Sequence, residues 1–213
     1  MLDFIVEKVR LFRARFEGKH EKYWAKKLLK STELNETFRS YYNFSLFQWH
    51  TQQEFEIVSQ YSACEKKRIL FIGSGALPVG AINFCRNFHL TVECIDVDSE
   101  AIELSQRLVK KLQIDNYFRF HNINVLNFLN FKEFDFIIVA AMVGINKIEK
   151  QAIIQHLANH IDRNIPVIFR TVFGIKKMWL PQVQQTDFNQ FNICHEYWKI
   201  SACFVDSIII TML

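Results

Sequence analysis

From Arg68 onward the chain alternates short β-branched or aromatic runs with segments of helical periodicity, a rhythm that few folds accommodate. Strands fit Arg68–Ile72, Thr91–Asp96, Tyr117–His121, Phe136–Ala140 and Pro166–Arg170, with helices over Val79–Phe88, Ser99–Leu112 and Lys147–His160. Such alternation requires a parallel sheet whose crossovers are helices. After Arg170 the pattern changes to two extended runs, Asn192–Ile200 and Cys203–Met212, separated by a short turn and best read as an antiparallel pair.

A five-strand parallel set closed by a terminal hairpin is the arrangement of the α/β Rossmann-like class I S-adenosylmethionine-dependent methyltransferase fold. We place that domain at residues 65–213 and a small N-terminal helical cap at residues 1–64. In the cap, Ile5, Val9, Phe12 and Phe16 share one helical face and Gly18 is read as the helix end. Tyr23–Leu29, Glu33–Tyr42 and Gln52–Tyr61 follow as further short helices.

Composition narrows the function class. Half of the 213 residues are hydrophobic, 21 of them Phe, which excludes disorder over most of the chain. The net charge of +4 is modest, and its excess sits in residues 1–30, where nine Lys or Arg face four Asp or Glu. That is a basic helix solvating itself, so no nucleic-acid partner is expected. Asp3, Glu7 and Lys8 interrupt any signal-peptide core, and no apolar run reaches membrane-spanning length. Five cysteines, odd in number and never in a CxxC pair, read as buried thiols of a reduced cytoplasmic protein.

The stretch RILFIGSGALPVGAINF puts Gly73, Ser74 and Gly75 between a strand and a helix. Glycines there let the backbone approach an anionic or polar group closely, and a helix start offers free N–H donors. The third glycine, Gly80, is out of register for GxGxxG, Pro78 occupies the helix entrance, and no GKS or GKT follows. Asp96 ends the strand VECID about twenty residues on, where a carboxylate accepts from ribose hydroxyls. Asp98 reads as the N-cap of the next helix. Asn124-Val125, after the strand FRFHNI, offers a side-chain carbonyl for an adenine amine. Together these point to an adenosine-containing cofactor, S-adenosylmethionine ahead of dinucleotides. His156 and His160 stand at zinc-ligand spacing but lack the HExxH glutamate and read as surface residues. Cys194-His195 lie on opposite faces of a strand and read as structural.

GSGALP, IDVD, AAMVGINKIEK and FRTVFGIKKMWLP together resemble the nicotianamine synthase family, over roughly residues 41–212. The chain most resembles its short bacterial members, the staphylopine- and pseudopaline-type synthases of opine metallophores. The resemblance implies an aminocarboxypropyl (aminobutanoyl) transferase. Such an enzyme passes the 3-amino-3-carboxypropyl arm of S-adenosylmethionine to the α-amine of an amino acid, histidine-like by preference, and releases methylthioadenosine. It further implies that Gly73, Ser74, Gly75, Asp96, Asn124, Val125 and Ala141 hold the co-substrate. Glu54, in QQEFEI, falls on the family's general base, with Glu56 its neighbouring alternative. Tyr42, Arg170 and Phe173 fall on the acceptor side. For the tyrosines of Tyr41-Tyr42-Asn43 the alternative is packing of cap on core, and for Arg170 a salt bridge to a helix acid.

The product, not the enzyme, would bind metal. Partners implied are a small amino-acid acceptor, a homodimer mate and a downstream opine dehydrogenase, with no membrane. An ordinary N-methyltransferase and a non-catalytic cofactor-binding module remain the alternatives. Departures from plant members, Thr171-Val172-Phe173-Gly174 in place of SAHG and Leu180 before Pro181, bear on acceptor choice.

Overall fold

A computed structural model describes residues 2–41, 44–162, 164–172, 183–189, 192–197 and 206–211. Three helices come first: α1 (Leu2–Lys30), α2 (Leu34–Ser40) and α3 (Phe44–Val58). The remainder runs β1 (Arg68–Ile72), α4 (Val79–Phe88), β2 (Thr91–Asp96), α5 (Ser99–Lys111), β3 (Phe118–Asn122), β4 (Phe136–Val139), α6 (Lys147–His160), β5 (Val167–Thr171), β6 (Asn192–Tyr197) and β7 (Asp206–Thr211).

The seven strands form one sheet in the order β3-β2-β1-β4-β5-β7-β6. The first five are mutually parallel, and β7 runs antiparallel to both β5 and β6. This is the expected class I fold with its closing hairpin. Strand order reverses between β1 and β4, and ligands of such sheets bind in the crevice beyond the strand carboxyl ends at that point.

Alternation along β1 divides the core. Ile69 and Phe71 face one layer with Val79, Ile82 and Phe84 of α4 and Leu108 of α5, while Leu70 and Ile72 face the other with Ile153, Ile154 and Leu157 of α6. Both faces are covered, which is why these strands are apolar throughout. The N-cap expected at Asp98 forms, accepting from the Glu100 and Ala101 amides, and the structure adds a second at Asn146, which accepts from the Glu149 amide while Glu149 reaches back to the Ile145 amide at 2.8 Å.

The sequence expectation that Gly18 ends the first helix is corrected: α1 continues through it for 29 residues. A Cβ at Gly18 would meet nothing within 4 Å, so no packing demand for glycine exists there. What carries the helix onward is its docking on α5. Lys22 pairs with Asp98 at 2.7 Å and with Glu100 at 2.8 Å, and Lys26 pairs with Glu100 at 2.7 Å. Lys111 Nζ donates to the carbonyls of Leu28, Leu29 and Ser31, satisfying the orphan acceptors at the α1 terminus. Ala25 of α1 meets Ala76 and Ala101 in a contact of small residues that lets the backbones approach closely.

Helix α3 is fixed independently. Phe55 stacks on Phe88 of α4 with centroids 3.8 Å apart, and Val58 is fully buried. The same helix carries Glu54 one position before Phe55, turned toward the sheet. No helix among the described residues is long and apolar enough to cross a membrane.

Candidate active site

A cavity of about 680 Å³ opens at the carboxyl ends of β1, β2 and β4, where the strand order reverses. Its floor is the Gly73–Val79 loop. Gly73 and Gly75 have φ of +77° and +67°, in the left-handed region that favours glycine. Each is also a close approach: a Cβ at Gly73 would collide with Val143 Cγ2, and one at Gly75 with the Glu21 carboxylate. The Gly73 amide donates to the Ile95 carbonyl at 2.7 Å and the Gly75 amide to Asp96 Oδ2 at 2.8 Å, tying the loop to the end of β2.

Asp96 also accepts from the Asp98 amide at 3.0 Å, yet burial outweighs these donors and raises its pKa. Ser74, Asn124, Val125 and Ala141 all line the same cavity. Asn124 Oδ1 accepts from the Leu126 amide at 3.0 Å and caps the short 3-10 turn Val125–Asn127, so one of its lone pairs is already engaged. The Ala141 side is held from behind. Buried Lys150 donates to the Ala141 and Val143 carbonyls at 3.0 and 2.8 Å, fixing the loop between β4 and α6.

On the opposite side stands Arg170, at the end of β5 and 5% exposed. Its Nε donates to Glu54 Oε1 at 2.9 Å and its Nη2 to Glu54 Oε2 at 2.7 Å, a bidentate fork between residues 116 apart in sequence. His50 Nε2 lies 3.8 Å from Glu54 Oε1. The guanidinium packs 5.1 Å from the centre of the Phe71 ring and 5.9 Å from that of Phe47. Arg170, Phe47, Phe71 and Tyr41 line the cavity; Glu54, 1% exposed, lies behind the arginine. Arginine's fork matches a carboxylate in two parallel hydrogen bonds, and Nη1 takes no part in this one. Glu56 instead bonds Gln52 and Gln53 on the exposed side of α3.

The cavity thus collects Gly73, Ser74, Gly75, Asp96, Asn124, Val125, Ala141 and Arg170, with Glu54 joined to the last. Tyr42, Phe173 and the Trp179–Pro181 segment lie outside the described residues. His156 and His160 belong elsewhere: His156 Nε2 is 2.8 Å from the Phe128 carbonyl, and His160 Nδ1 is 2.8 Å from the His156 carbonyl.

Sequence reasoning missed the contribution of α1. Ala14, Glu17, Gly18, Glu21 and Lys22 form a wall of the cavity, and burial pushes the Glu21 carboxyl up to about 8, with the Asp96 and Glu17 charges adding to the shift. The only local signal was a glutamate four residues before Ala25 on a basic helix. The Lys150 clamp was equally hidden inside a helical pattern.

Among solved structures, MtNAS in complex with MTA and tNA superposes with a TM-score of 0.85 at 20% identity, covering 98% of this chain and 75% of that one. Magnesium protoporphyrin IX methyltransferase from Synechocystis PCC 6803 with bound SAH gives a TM-score of 0.58 at 17% identity, covering 77% of this chain and 83% of that one. These likenesses establish the fold. Nicotianamine synthase 2 of Arabidopsis thaliana is 31% identical over 74% of this chain and 50% of its own length. An L-histidine 2-aminobutanoyltransferase of Yersinia pestis is 28% identical over 75% of this chain and 55% of its own. The chain spans about half the length of the curated relatives it matches. The model of the nicotianamine synthase protein family matches residues 1–212, and the chain belongs to that family.

Proposed function

We propose that this chain transfers the 3-amino-3-carboxypropyl group of S-adenosylmethionine to the α-amine of an amino acid, histidine-like by preference. Methylthioadenosine leaves, and the product is a nicotianamine-like, opine-type metallophore precursor. One observation carries the reading: in a chain of this family, the Gly73–Gly75 cradle with Asp96 faces Arg170 across a single cavity, with Glu54 held directly behind the guanidinium.

The roles follow from placement. Gly73, Ser74, Gly75 and Asp96 take the ribose and its sulfonium end, while Asn124, Val125 and Ala141 border the base. All three carbons on the sulfonium are electrophilic, so the product is decided by which carbon faces the nucleophile in line with its leaving bond. As the C–N bond forms, the C–S bond breaks and its electron pair stays on sulfur. The amine must shed a proton to attack. Glu54 is the acceptor of that proton. An incoming carboxylate competes with Glu54 for the Arg170 fork, so binding of the amino acid frees the glutamate it needs as a base.

Free Cys64, Cys85 and Cys94 suit the reducing cytoplasm. A homodimer and a companion opine dehydrogenase acting on the product belong to the same reading. Incubation with S-adenosylmethionine and a panel of amino acids should yield methylthioadenosine and an adduct heavier than its amino acid by the aminocarboxypropyl group. S-adenosylhomocysteine as the sole nucleoside product would make the chain a methyltransferase instead.

A further inference from the structure

We infer that Glu21, carried by the long N-terminal helix, is a second ribose ligand that grips the co-substrate's diol together with Asp96. This rests on the S-adenosylmethionine reading above and adds to it a residue from outside the α/β domain.

The argument begins at Gly75. Asp96 Oδ2 accepts from the Gly75 amide, the next amide, Ala76, donates to Glu21, and the Glu21 carboxylate fills the space where a Gly75 side chain would stand. Two carboxyl groups from different elements are therefore held on consecutive amides of the cofactor loop, both on the cavity wall. Ser74 Oγ lines the same wall, 6% exposed as a residue, beside the buried Cys94 thiol, and keeps lone pairs for a polar ligand.

Adjacent carboxyl groups that titrate together share a proton at neutral pH, one ionised and one neutral. An ionised carboxylate only accepts; a neutral acid also donates. A vicinal diol presents two hydroxyls, each both donor and acceptor, so a mixed pair satisfies it better than two carboxylates would. With its ionisation displaced to about 8, Glu21 is the neutral member.

The charged groups around it support this state. On its own helix stand Glu17, which adds negative charge, and Lys22, whose ammonium is committed to Asp98 and Glu100 at the start of α5. From β2 comes Asp96. None of these neutralises Glu21, and the Asp96 and Glu17 charges acting on it disfavour a phosphorylated ribose.

The test uses 5′-methylthioadenosine, which keeps the ribose but lacks the sulfonium, amine and carboxylate, so its own ionisation does not intrude. Calorimetric titration at pH 7 and pH 9 should show the native protein losing about tenfold in affinity as Glu21 ionises beside Asp96. Glu21→Gln, which still donates and accepts, should bind equally at both pH values. Glu21→Ala should be weaker at pH 7 and flat with pH, and should lose less than the native protein when the 2′-deoxy nucleoside replaces the probe. Equal affinities for native protein and Glu21→Ala at pH 7 would overturn the inference. So would affinity rising with pH, because the ionised and not the neutral form of Glu21 would then be the one that binds the diol. If the native protein binds neither methylthioadenosine nor S-adenosylmethionine, the co-substrate reading itself fails.

Discussion

At the scale of single residues, the Glu54–Arg170 pair sets the hardest problem, because the proposed function gives one geometry both a stabilising and a chemical part. Breaking a buried ion pair by removing one partner costs about 3–5 kcal/mol, since the other charge is left uncompensated. Glu54→Gln and Arg170→Met should therefore each lower stability by that order in urea titrations. A general base is also worth about 10²–10⁴ in rate. The double variant separates the two roles: it should regain much of the stability, because no lone charge remains, yet stay at least 100-fold impaired in turnover. Recovery of turnover along with stability would reduce Glu54 to a counter-ion for the arginine. Each residue was legible alone, and a salt bridge to a helix acid stood as the alternative for Arg170, but that the acid is Glu54 was not. They lie 116 positions apart, and only the packing of α3 against α4 turns the glutamate toward the end of β5.

At the scale of elements, the strands were readable within a residue or two because β1, β4 and β5 are buried on both faces and so apolar almost throughout. The cap at Asp98 was legible for a similar reason, capping being local chemistry between neighbours, whereas the cap at Asn146 went unread. The first helix was not. A glycine in a polar stretch is a stop signal by local rules, while what sustains α1 past Gly18 is distant: Lys111 on its terminus and Asp98 and Glu100 on its lysines. Gly18→Ala tests that account. Nothing within 4 Å opposes a methyl group there, so the substitution should stabilise the protein by about 0.5–1 kcal/mol, read as a higher denaturation midpoint. Asp98→Ala should do the reverse by about 1 kcal/mol, because it removes the α5 cap together with one of the two carboxylates that hold Lys22.

At the scale of the molecule, laying α1 over the Gly73–Val79 loop half-buries a carboxyl that the unfolded chain exposes. Glu21 then has a native ionisation pushed up to about 8 against the ordinary glutamate value of 4.5. The sign follows from proton binding. Between those two values the native state holds a proton that the unfolded state has released, so native stability falls as pH rises through the interval. Below the unfolded value both states are protonated and Glu21 costs nothing; above about 8 both are ionised and the penalty is complete. Glu21→Gln removes the titration while keeping the shape. Its melting temperature should match the native protein at pH 4.5 and exceed it by several degrees at pH 8, with the gap opening steadily in between. A gap independent of pH would mean that the carboxyl is solvated and ordinary, and α1 would then be a cover over the cavity with no electrical part in it. A gap that opens with pH and widens further at high pH when methylthioadenosine is added would tie the strain to the site, since the native protein binds that ligand more weakly as Glu21 ionises while the glutamine variant does not.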